Sequence, residues 1–148
     1  MPIDFSISTA LQISYVRCSG IVTVGEFKKA YGAYRAHPLY RPGRPEMLDL
    51  TGAEDISLSF RQASALLTMA NRQRSDELVE TTVVMLAGDR WSFAAARMFE
   101  TLSQNTPGVV VTASMDEAEA LTVAGIDVAT VTQLLAEGEF ETFLKFDA

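Results

Sequence analysis

Apolar and polar positions repeat with two different periods along this chain, and the switches between them mark out its elements. Near the N-terminus the period is two: Phe5 and Ile7, then Leu11, Ile13 and Tyr15, stand among polar neighbours. That alternation predicts two short strands joined near Thr9–Ala10 in a hairpin. Ser19–Gly20 breaks the second strand, and Ile21–Val22 resumes it. From Thr23 to about Ala36 the period becomes helical, with Phe27, Tyr31 and Tyr34 on one face. His37–Pro45 carries Pro38, Pro42, Gly43 and Pro45 and reads as a rigid loop. Met47–Leu50 is the next strand, with a polar bend through Thr51–Ser57 after it. A helix then has Ala63, Leu66, Leu67 and Ala70 as its core stripe. Thr81–Ala87 is nearly continuous β-branched and apolar, as a strand buried on both faces would be. A third helix turns Phe93, Ala96, Phe99 and Leu102 inward, and Val109–Thr112 is the last strand.

Helix starts are written into the sequence separately. Thr23/Glu26, Ser59/Gln62 and Ser114/Glu117 each place a hydroxyl three residues before an acid or amide. In such a capping box the first side chain accepts from an orphan N–H and the third reaches back to the cap. Asp89 or Ser92 caps the helix between the second and third boxes. Ser114 opens a short helix ending at Gly125, and Asp127 opens one more, to about Glu137, where Gly138 stops it. The expected architecture is one α/β domain with a mixed, mostly parallel sheet, an antiparallel N-terminal strand and an extra C-terminal helix. If the sheet order is monotonic, the main helices share one face, and the apolar tail of Leu134, Leu135, Phe140, Phe143, Leu144 and Phe146 must cover the other or dock on a second subunit.

Composition narrows the function classes. The chain has 148 residues, 48% of them hydrophobic, and a net charge of −7. Such a charge repels nucleic-acid backbones and anionic membranes, so neither is an expected partner. Cys18 is the one cysteine, no apolar run is long enough to span a bilayer, and no signal peptide is visible; cytoplasm is the expected compartment.

Four stretches carry a family resemblance: Tyr40–Arg41–Pro42–Gly43, Met47–Leu48–Asp49–Leu50–Thr51–Gly52, Ala96–Arg97–Met98–Phe99–Glu100, and Ser114 through Leu121. Together they resemble the SpoIIAA-like group of small bacterial proteins, related to the STAS (sulfate transporter and anti-sigma factor antagonist) fold. The resemblance covers roughly residues 10–125. It implies a β-α superhelix over 1–125, with 126–148 as a helical extension on the same domain or on a homodimer partner. It also implies a binding or switching module rather than an enzyme. In the anti-sigma antagonist branch a phosphorylatable serine lies within Asp-Ser-Ser-Gly. Laid on this chain, that tetrapeptide falls on Ser57–Leu58–Ser59–Phe60, which places the acceptor at Ser59, with Ser57 beside it; two of its four positions depart from the pattern.

The residues themselves offer few chemical constellations. Ser59 at a helix start is either a phosphate acceptor or a plain cap. Asp89, Arg90 and Trp91 follow the most buried strand, where α/β folds place ligands; with Thr51 and Ser59 they form the candidate ligand cleft for a small molecule or lipid. His37 is the single histidine and has no nucleophile elbow to serve. One His and one Cys do not make a zinc site, and the C-terminal acids lack a calcium-loop pattern. No catalytic residue, metal or cofactor is therefore expected. The leading reading is a non-enzymatic interaction or regulatory module with a protein partner, and the alternative is a carrier of a small ligand.

Overall fold

The computed structural model describes residues 3–74 and 80–144. Its elements are β1 (Ile3–Ser8), β2 (Ile13–Thr23), α1 (Val24–Ala36), β3 (Glu46–Ser57), α2 (Phe60–Arg74), β4 (Thr81–Leu86), α3 (Arg90–Ser103), β5 (Val109–Ser114), α4 (Glu117–Val123), α5 (Val131–Glu137) and β6 (Glu141–Leu144). The strands form one sheet in the order β5-β4-β3-β2-β1-β6. β2 to β5 are mutually parallel, and β1 is antiparallel to both β2 and β6.

Monotonic order has a direct consequence. Each parallel crossover from β2 to β5 steps one strand in the same direction, so right-handed connections put α1, α2 and α3 on one face. Side-chain alternation then sorts the core into two clusters. Phe5, Val16, Leu48, Met85 and Val111 pack beneath Phe27 and Tyr34 of α1, Leu66 of α2 and Phe99 of α3. Their alternates Ile13, Tyr15, Met47, Val84 and Leu86 face the other way, against Leu121 of α4 and Val131 and Leu134 of α5. The C-terminal segment thus lies on the second face of the sheet.

Two of the three expected capping boxes are present. Thr23 Oγ1 accepts from Glu26 N–H and Glu26 Oε1 from Thr23 N–H; Ser59 and Gln62 exchange the same pair at 3.1 and 2.9 Å. Asp89 caps α3, accepting from Ser92 N–H at 2.9 Å. The third box is corrected. β5 continues to Ser114, whose carbonyl accepts from Ala87 N–H, so Ser114 belongs to the ladder. Asp116 is the cap of α4 and accepts from Glu119 N–H. Gly125 ends that helix at φ +80°, with Ile126 N–H reaching Leu121 O and Gly125 N–H reaching Thr122 O. This is the Schellman pattern, in which glycine tolerates the left-handed turn. Thr130, not Asp127, caps α5 and accepts from Gln133 N–H at 3.1 Å, while Ile126 and Val128 before it pack into the second cluster.

Two further expectations change. The polar stretch Thr51–Ser57 is strand rather than bend, and Ser19–Gly20 does not interrupt β2: Ser19 to Thr23 pair with Gly52 to Ser57. Register shifts between Arg17 and Ser19 and between Gly20 and Ile21 break the alternation from which strand is read. Beyond the helical tail the chain adds β6 beside β1, an edge strand the apolar count did not distinguish from helix. Of the α2 stripe, Ala63, Leu66 and Leu67 are buried; the side chain of Ala70 and the residue Phe146 lie outside the described residues. No helix among the described residues is long and apolar enough to cross a membrane.

Candidate functional site

The candidate residues stand at the carboxyl ends of the parallel strands. β3 and β4 are paired up to Asp49 and Leu86. The chain leaving β4 turns at Gly88, whose missing Cβ would lie 3.1 Å from Thr51 Cα. A side chain there would crowd Thr51, so glycine favours the close approach of the two backbones. Thr51 and the Asp89–Trp91 turn are therefore neighbours. Asp89, Arg90 and Trp91 are exposed, Trp91 at 37%. Two Ser92 hydrogen bonds, from backbone and hydroxyl, hold the Asp89 carboxyl below the usual range, and the Trp91 side chain adds to them.

Ser57 and Ser59 come six and eight residues after Thr51 along the chain. β3 continues past Asp49 as a two-stranded ribbon with β2, and Ser59 follows its end. The hydrogen bonds of Ser59 among the described residues lie within its own cap and first turn. Its neighbour Phe60 is 63% exposed, and Ile21 on the ribbon is 59% exposed. The fold brings Thr51 to Asp89–Trp91, while no hydrogen bond among the described residues joins Ser57 or Ser59 to them. A shallow depression lined by Glu80, Glu100, Ser103 and Pro107 lies at the other end of the strands, outside this group.

A buried network adjoins Thr51 that the sequence reading did not single out. Tyr15 Oη donates a short hydrogen bond to Asp49 Oδ2. Asp49 Oδ1 accepts from both the Thr51 N–H, at 2.9 Å, and the Thr51 hydroxyl, at 2.6 Å. Burial first, and the Asp49 charge second, push the Tyr15 hydroxyl pKa up, so it stays a donor. The signal was available: a charged residue inside Met47–Leu50 is costly unless its oxygens are paired. Across the sheet Arg17 stands in register between Asp4 of β1 and Asp49 of β3, an alternation of charge that favours the pairing.

The remaining candidates are occupied locally. His37 is the C-cap of α1, and its Nδ1 accepts from Leu39 N–H at 3.0 Å. Cys18 is buried, and desolvation pushes its thiol up to about 12. Among the described residues no three His, Cys, Asp or Glu side chains gather as a metal site would require.

One solved structure of similar shape is that of an uncharacterized protein from the DUF3478 family with a SpoIIAA-like fold, from Shewanella loihica PV-4. It is 16% identical, and the match covers 81% of this chain and 90% of that one with a TM-score of 0.51. At that identity the likeness is one of fold, and the chain has a SpoIIAA-like fold. No family model and no curated protein matches it.

Proposed function

We propose that this SpoIIAA-like domain is a non-enzymatic interaction or regulatory module that meets a protein partner at the end of its β2–β3 ribbon. The observation that carries the reading is the exposure of Ser59 beside Phe60, which is 63% exposed. Phe60 is a large apolar side chain that the fold leaves in water, next to a hydroxyl at the N-terminus of a 15-residue helix. A phosphate on Ser59 would be favoured there by the helix dipole and would change the charge of the surface a partner meets. We place the role in the cytoplasm, in keeping with a single, buried thiol.

A second reading, a carrier of a small molecule or lipid, is favoured by one specific feature. Arg90 and Trp91 open α3 where α3 and α4 leave the adjacent strands β4 and β5 for opposite faces of the sheet, with Thr51 of β3 beside the Gly88 turn, and such divergence opens a crevice in α/β folds. Native mass spectrometry of protein purified from its own host separates the two. A bound protein or a phosphate on Ser57 or Ser59 supports the module; a non-covalent small ligand, displaced with a change in Trp91 fluorescence, supports the carrier. Protein that carries neither partner, phosphate nor ligand under all growth conditions overturns both.

A further inference from the structure

Net charge conceals how this molecule is polarised. Among the described side chains, eight Lys and Arg residues lie in α1, the loop after it, α2 and α3, the helices that share one face of the sheet. The densest stretch, from Phe27 to Pro45, holds five Lys and Arg residues and no Asp or Glu; Arg44 is buried, which leaves Lys28, Lys29, Arg35 and Arg41 to the surface. On the opposite face the segment from Met115 to Leu144 holds seven acidic residues and no Lys or Arg. All seven are exposed. The acidic layer also presents apolar side chains: Met115 is 50% exposed, Leu135 43% and Val123 38%. The basic surface offers partly buried Tyr31, Leu39 and Tyr40 in return.

We propose that the protein associates with itself head to tail, the acidic α4–α5 layer of one copy seated on the basic α1 surface of the next. Each layer supplies the charge the other lacks, and each carries apolar groups to form the centre of a contact with a charged rim. The overall charge of −7 opposes association at long range. At physiological ionic strength the Debye length is about 8 Å, so that repulsion is screened while charges in contact are not. Because the two surfaces lie on opposite faces, the contact does not close on itself, and it generates a ladder of stacked copies rather than a symmetric dimer. The surfaces are distinct from the Ser59 end of the ribbon, so this inference stands independently of the proposed partner there.

Sedimentation velocity on the purified full chain tests it. The expected result is concentration-dependent association at about 0.05 M salt that weakens at about 0.5 M. Lys28→Glu with Lys29→Glu in one variant, and Glu117→Lys with Glu119→Lys in another, should each weaken self-association about tenfold or more, since like charges then face each other. An equimolar mixture of the two variants should restore it, because each then meets a complementary surface on the other. All four side chains are exposed, and circular dichroism confirms that each variant is folded before it is read. A wild-type chain that stays monomeric at every concentration and salt overturns the proposal. So does association indifferent to both charge reversals, or a closed dimer with no larger species.

Discussion

Tyr15 and Asp49 are side chains whose environment leaves little room for substitution. Tyr15→Phe removes one hydrogen bond but leaves the Asp49 carboxylate buried, with Thr51 as its remaining side-chain hydrogen-bond donor among the described residues. A lost bond to a charged group costs about 1.5–3 kcal/mol, and urea unfolding should show a loss of that size. An unchanged midpoint would mean that water replaces the hydroxyl. Ser59→Ala should cost about 1 kcal/mol through loss of the cap, whereas Ser59→Asp should melt near wild type because Asp is an equally good cap. An Asp variant far less stable than the Ala variant would remove Ser59 from that role. Cys18 carries a pH prediction. Its thiol rises from an ordinary 9.0 to about 12 in the folded state. Above pH 9 the unfolded chain therefore loses a proton that the folded chain keeps, and stability falls between about pH 9 and 12. Cys18→Ala should flatten the decline in urea midpoint from pH 9 to 10; an equally steep decline would clear Cys18 of the effect. Local chemistry is legible where it repeats a spacing, as at Thr23/Glu26 and Ser59/Gln62. The Tyr15–Asp49 pair depends on strand register across 34 residues, which no spacing encodes.

At the scale of elements, the outer edge of β5 shows how the sheet is closed. Val111 N–H donates to Ser103 Oγ at 3.1 Å and Ala113 N–H to Glu100 Oε2 at 2.9 Å. Both acceptors come from α3, so two outward donors of the edge strand are already bonded within the chain. An unguarded edge is a template for pairing with another chain. Glu100→Ala combined with Ser103→Ala should therefore raise the rate of aggregation on mild heating, read by light scattering, beyond that of a variant equally destabilised in the core. Equal rates would show that the two side chains guard nothing. The starts of α1, α2 and α3 and the first five strands were open to sequence reading because their apolar periods are clean and those caps are local. The ribbon was not. Its register shifts move side chains off the period of two, and its exposed residues, Thr51, Gly52, Glu54 and Asp55, resemble a loop in composition. β6 was hidden for a different reason: Phe140, Phe143 and Leu144 mark an apolar segment in the sequence without saying whether it is helix or strand.

The whole molecule is a sheet between two unlike helical layers, and its two main dependences follow from that. Its electrostatics are directional, so the sum of −7 describes neither face. Its second face depends on the last part of the chain. Ile13, Tyr15, Met47 and Val84 are each at most 5% exposed, and part of what covers them is Ile126, Val131 and Leu134, with Phe140 against Tyr15. Burying a large apolar side chain is worth about 1.5–3 kcal/mol, and a domain of this size has roughly 5–15 kcal/mol in all. Truncation after Gly125 removes those covering side chains and the β6 pairing together, so the expected outcome is an aggregating chain without a cooperative melt. Leu134→Ala is the graded form of the same experiment: its side chain is fully buried, and a loss of about 2–5 kcal/mol is expected, with the fold retained or marginal. Were the tail instead to cover a second subunit, the truncated chain would be a soluble, folded monomer, and Leu134→Ala would change assembly before it changed stability. A truncated chain that melts cooperatively at the wild-type temperature would show that four helices and five strands suffice, with α4 alone covering the second face.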